Sequence, residues 1–152
     1  MTPEERLAEL GLTLPQVVPP VAAYVPALRS GDHVYVSGQV PVSGGKVLAE
    51  GKVGAEIDPD RAKELAGVCA LNGLAALKSV VGDLSNVVRI VKVVGFVASD
   101  PAFTGQPQVI NGASELFGEV FGEAGKHARS AVGVAALPLN VPVEVELIAE
   151  VR

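Results

Sequence analysis

Arg129 carries the clearest potential for chemistry in this chain. It opens the run Arg129-Ser130-Ala131-Val132-Gly133-Val134-Ala135, which reads as a β-strand broken off at Leu137-Pro138. Side chains alternate along a strand, so Arg129, Ala131, Gly133 and Ala135 share one face and Ser130, Val132 and Val134 the other. The guanidinium therefore stands over the smallest residues, with room beside it. A planar, permanently charged fork next to open space suits a small carboxylate or phosphate, which it grips through two parallel charge-assisted hydrogen bonds. The competing reading is a structural ion pair with Glu144 or Glu146.

The other candidates are weaker taken singly. Glu144, Glu146 and Glu150 share one face of the last strand, either as its wet side or as a source of a proton acceptor. If residues 129–150 form a simple hairpin, Glu144 falls near Gly133, roughly 13 Å along the ladder from Arg129. For the two to meet at one substrate, the strands must pair differently or the site must cross a subunit boundary. Tyr24 offers a hydroxyl or plugs the first strand; Asn111, in an otherwise apolar helix start, suggests a cap; Ser37 and Gln39 serve a site or a turn. His127 reads as a loop histidine and Cys69 as an inert core thiol. No nucleophile elbow, phosphate loop, dinucleotide fingerprint or Cys-His couple is present.

Composition narrows the classes further. With 49% hydrophobic and 19% charged residues, the chain has the material for a packed core and for surface hidden in an oligomer. A net charge of −5, six aromatic residues, no Trp and scattered basic residues speak against a nucleic-acid partner. One cysteine and two histidines suggest neither a disulfide nor a metal centre. The uncharged run 11–28 is long enough to raise the membrane question, but prolines at 15, 19, 20 and 26 argue against a spanning helix. The charged start, residues 1–9, is unlike a secretory signal, so a cytoplasmic location is the expectation.

The elements that must position these residues follow from local signals. Thr2-Pro3-Glu4-Glu5 starts a helix that Gly11 stops, and residues 13–20 form a proline-punctuated arm. Residues 24–29 and 33–40 read as strands around Ser30-Gly31-Asp32, with a short third strand at 46–48. Asp58-Pro59 opens the longest helix, which ends before Gly82. Residues 87–98, apolar on both parities, read as a central strand, and 106–121 as a second helix. With no repeat and no linker, residues 1–152 are expected to be one domain of α+β class, with 1–20 as an N-terminal helix and arm. Two main helices on one face of a mixed sheet leave the other face to be covered by further subunits.

Several of these residues together resemble the Rid/YjgF family over about residues 24–151. Ser37-Gly38-Gln39-Val40-Pro41 is similar to its serine-glycine-glutamine strand end, and Arg129-Ser130-Ala131-Val132, followed by Leu137-Pro138 and the 143–149 strand, to its C-terminal signature. The resemblance implies a chorismate-mutase-like fold assembled as a homotrimer, with clefts between subunits. It implies hydrolysis of reactive 2-imino or enamine acids to 2-keto acids and ammonia, with no metal or cofactor. Arg129 would bind the substrate carboxylate and Glu144 would position water; Tyr24, Ser37, Gly38, Asn111 and Ala131 would line the substrate site. The alternatives are a trimeric binding or regulatory protein for small metabolites, and an endoribonuclease or translation inhibitor. Two features depart from the pattern: Ala131 stands where deaminase-active members usually carry cysteine, and Ala22-Ala23 where they carry glycine-proline before the tyrosine.

Overall fold

The computed structural model describes residues 1–18 and 22–152; Pro19 and Pro20, the last residues of the expected arm, lie outside the described residues. Helix α1, Pro3–Glu9, begins as its sequence dictates. Thr2 Oγ1 accepts from the Glu5 N–H at 3.1 Å while the Glu5 carboxylate accepts from the Thr2 N–H at 3.0 Å. Beyond it the arm packs Leu12, Leu14 and Val17 against the core, which is why a segment this apolar carries no charge.

Strands β1 (Ala27–Ser30) and β2 (His33–Gln39) form the expected hairpin, and β3 (Val42–Ser43) pairs with β4 (Lys46–Val47) as a small separate ribbon. The first strand begins later than its pattern suggests: residues 22–26 make bends, with the Tyr24 N–H donating to Ala22 O at 2.9 Å. Helix α2, Pro59–Val81, is capped by the Asp58 carboxylate. It is long and apolar enough to cross a membrane, yet 56% of that stretch is buried inside the protein, as a core helix requires. Strand β5 (Val87–Ala98), helix α3 (Gln106–Phe121), strand β6 (Ala128–Val134) and strand β7 (Val143–Val151) complete the order.

The main sheet runs β1-β2-β7-β5-β6, antiparallel except for the β5–β6 pair. This corrects the simple hairpin entertained for residues 129–150. β5 lies between β6 and β7, and Glu144 pairs with Phe96 rather than facing Gly133. A parallel neighbour cannot be reached through a tight turn, so β6 arrives by way of α3.

Both main helices pack on one face of this mixed α+β sheet. Val93, Val97, Val143, Val145, Leu147, Ala149 and Val151 point into that layer and are buried. The two helices come close where a Cβ on Gly67 would lie 3.6 Å from Gly112 O and one on Gly112 would fall on Lys63 O. The opposite face stays open. Leu28, Tyr35 and Val132 are exposed there, beside half-buried Val94, Phe96 and Ile148.

Candidate functional site

Two separate clusters hold the candidate residues. The first is built on β6 and α3. Arg129 pairs in register with buried Val93, so its side chain rises on the helix face of the sheet. There its Nη1 donates to Asn111 Oδ1 at 2.8 Å and to Ser114 Oγ at 3.1 Å, and its Nη2 donates to Pro107 O at 3.3 Å. Every acceptor is neutral, and no carboxylate of the described residues comes within 4 Å. The structural ion pair with Glu144 or Glu146 is therefore not what holds this arginine. Its Nε–H and second Nη2–H have no acceptor among the described residues. Nε and Nη2 share one edge of the guanidinium plane, the edge on which a carboxylate is gripped as a fork.

Asn111 belongs to this cluster and is no cap, since α3 begins at Gln106 after Gly105. Ser114 and His127 were not legible as partners. Ser114 Oγ lies 2.9 Å from His127 Nε2, and His127 Nδ1 lies 2.6 Å from Gly125 O. A carbonyl only accepts, so Nδ1 carries a proton, and in the neutral ring Nε2 then accepts from the serine hydroxyl. The hydroxyl then has its lone pairs free for Arg129. The ring also meets Phe117 edge-on at 6.0 Å, which fixes its plane. Positions 111 and 114 lie three apart on one helix face, and 127 and 129 share a strand parity; that spacing was the available signal. Ala131, next along the Arg129 face, is packed partly against the core.

The second cluster lies on the open face, at the end of β2 and β7. Tyr24, Gly38, Gln39 and Glu144 line a recess of about 390 Å³ that Arg129 does not line. The sheet register slips between Val36 and Gln39, so β2 carries an extra residue there, a bulge that re-aims its end. Gly38 is needed at this bulge, because a Cβ would fall on Glu144 Oε2. The close approach at this glycine is thus made by a carboxylate.

Burial pushes the Glu144 carboxyl above its ordinary value, and the Glu146 charge beside it adds to the rise. Ser37 does not line the recess; its hydroxyl donates to Val25 O at 2.6 Å and anchors the segment carrying Tyr24. Gln39 is buried and donates to Ser37 O at 3.0 Å. Asn72, a buried amide on the apolar stripe of α2, donates to Val40 O and Val42 O, each at 3.0 Å, and ties the recess wall to the core. A lone amide among Leu71, Gly73 and Leu74 was its signal in the sequence. Cys69 is buried, its thiol pushed up by burial and 3.9 Å from Val143 O, as expected of a core residue. Among the described residues no three metal-ligating side chains converge.

Within one chain the clusters cannot share a ligand. Arg129 and Glu144 are two strands apart and three residues along, about 14 Å between Cα positions at ordinary strand spacing. They also point to opposite faces of the sheet.

Comparison with known proteins decides the family. The YjgF/chorismate mutase-like family model matches residues 4–151. This chain belongs to that family. The Trypanosoma cruzi Protein TCP17 is 42% identical over 147 residues, covering 96% of this chain and 92% of that protein. The crystal structure of Atu1372 from Agrobacterium tumefaciens, a protein of unknown function, is 48% identical with a TM-score of 0.91, covering 99% and 92% of the two chains. The Escherichia coli protein TdcF, crystallised with bound serine, is 30% identical with a TM-score of 0.56 over 91% and 92%. A Saccharomyces cerevisiae relative, 31% identical over 139 residues and covering 88% of this chain and 79% of that protein, is MMF1, a mitochondrial protein, so the family is not confined to the cytoplasm.

Proposed function

We propose that this member of the YjgF family hydrolyses 2-imino acids, releasing the 2-keto acid and ammonium, at sites completed between copies of the chain. The observation that carries the reading is Arg129: a partly buried guanidinium held by neutral acceptors, with its Nε–H and one Nη2–H without an acceptor among the described residues. Self-association as a homotrimer would bring these two donors to the Glu144 recess of a neighbour, which a single chain keeps on the far side of its sheet. The free edge of β6 and the apolar open face, with Leu28, Tyr35 and Val132 exposed, supply the surface for it. The bound serine of TdcF supports an α-carboxylate as the anion.

The chemistry asks little of the protein. A protonated imine carbon is already electrophilic, so the site must hold the substrate and aim a water. Glu144 takes a proton as the water oxygen bonds to the imine carbon and returns it to nitrogen; as the carbon–nitrogen bond breaks and the carbonyl forms, the remaining hydroxyl proton passes to the departing ammonia, which leaves as ammonium. Tyr24, Gly38 and the β2 end wall the reacting centre, and Asn111 holds the arginine. Ala131 leaves space beside Arg129 where a larger side chain would intrude. No group in this sequence of steps requires a metal or cofactor. Action on a free metabolite in the cytoplasm, or in an organelle as for MMF1, fits this reading equally.

The test couples an amino-acid oxidase to its amino acid and follows imine decay with and without the protein. Accelerated decay that Arg129→Ala abolishes is the expected result. Unchanged decay, with a 2-keto acid still raising the melting temperature, would identify a metabolite-binding protein instead. The family description also names an endoribonuclease; RNA cleavage lost on Arg129→Ala would move the assignment there. Against it, no histidine pair converges for acid–base work and the net charge is −5.

A further inference from the structure

We infer that the Glu144 recess selects substrates with a branched aliphatic side chain, and that Leu139 sets this preference. The inference rests on the functional reading above, since it concerns the part of the substrate that lies beyond the carboxylate and the reacting carbon. Four separate segments build the recess walls, and all present aliphatic groups: Val18 of the arm, Pro26 before β1, Val40 and Val47 around the small ribbon, and Leu139 of the loop before β7. The polar side chains that line it are Tyr24, Gln39 and Glu144, and the Gln39 amide is already engaged with Ser37 O. A hydroxyl or charged substituent reaching the walls would lose its water and find no partner. An aliphatic one gains roughly fourfold in affinity for each methylene it buries.

Leu139 is the residue whose presence needs explaining. It sits at φ 60°, ψ 16°, in the left-handed region where glycine or asparagine is at ease, and Asn140 follows at φ 57°. Leucine is poorly suited to that backbone, and its side chain is 52% exposed, so burial in the core does not account for it. The turn is pinned from outside, with the Gly51 N–H donating to Asn140 O at 2.9 Å. What the leucine does is line the recess, together with Val42 and Val47 of the ribbon. With about 390 Å³ enclosed, the recess has space well beyond that of a methyl substituent.

The experiment measures kcat/KM for the imines formed from alanine and from leucine by one oxidase, with the protein as the full chain. The leucine-derived imine is expected to be favoured by about tenfold or more. Leu139→Gly relieves the backbone and so preserves folding, and it should lower the leucine-to-alanine ratio by about tenfold. A wild-type ratio at or below one, or a ratio that Leu139→Gly leaves unchanged, overturns the inference. If neither imine is hydrolysed, the hydrolase reading fails separately. Heat protection by 4-methyl-2-oxopentanoate and by pyruvate then decides: a tenfold preference for the former sustains a branched aliphatic ligand, and equal protection overturns it.

Discussion

Arg129 and Glu144 sit on the same sheet in opposite circumstances, and the contrast shows how this fold divides its labour. Arg129 is locked by Asn111, Ser114 and Pro107 O, so its charge is permanent and its direction set. Glu144 accepts no hydrogen bond from the described residues, is partly desolvated, and lies beside the negative Glu146. In the proposed function one group holds an anion without changing state and the other changes state. A rigid α3–β6 contact suits the first role, and the bulged end of β2 suits the second.

Removing the group that changes state should have the largest effect. Glu144→Gln keeps the shape and is expected to lower kcat by about 10²–10³-fold in the imine assay, with KM little altered. Its pH behaviour sharpens the contrast. Proton acceptance needs the carboxylate, so wild-type activity should fall as pH is lowered through a midpoint above the ordinary 4.5, and Glu144→Gln should lack that limb. Stability runs the other way. The folded state binds this proton more tightly than the unfolded one, so its contribution is complete below about pH 4.5 and is lost as pH rises through the raised midpoint. At neutral pH, Glu144→Gln should therefore melt no lower than wild type.

Arg129→Ala comes next, with kcat/KM falling on the order of 10²-fold, mainly through KM, because a fork contact to a carboxylate is lost. Arg129→Lys should recover little of it, since a single ammonium cannot reproduce both hydrogen bonds. If lysine restores full activity, the locked geometry of the first cluster has no role. Gly38→Ala should cost about tenfold in kcat, because the new Cβ displaces the Glu144 carboxylate while the backbone there suits any residue. A crystal structure of that variant with Glu144 unmoved would break the link between bulge and carboxylate. Ser114→Ala is the mildest change, a roughly fivefold rise in KM from one lost hydrogen bond of about 1 kcal/mol. Isothermal titration with a 2-keto acid checks it.

The residues on either side of this comparison were unequally legible. Arg129 announced an anion fork because a charged residue before Ala131 and Gly133 on one strand face leaves a gap. Gly38 stood out only within the Ser37-Gly38-Gln39 strand end, which does not name the carboxylate that approaches it. Ser114, His127 and Asn72 went unread as supports, since each acts on a partner 13 or more residues away and its local spacing does not name that partner. Tyr24 was placed in a strand by its neighbours Val25 and Leu28, but Pro26 cannot donate to a ladder and the strand starts after it.

By itself the sequence determined the helix starts at Thr2 and Asp58, the buried parity of β7, and an arginine with no bulky neighbour on its strand face. These depend on capping, alternation and side-chain size, all of which act within a few residues. Only the tertiary structure decided that β5 separates β6 from β7, that Arg129 and Glu144 look to opposite sides, and that Leu139 lines the recess. Alternation tells a strand which way its side chains face but not which strand lies beside it, because pairing is a contest between distant segments settled by packing of the whole core.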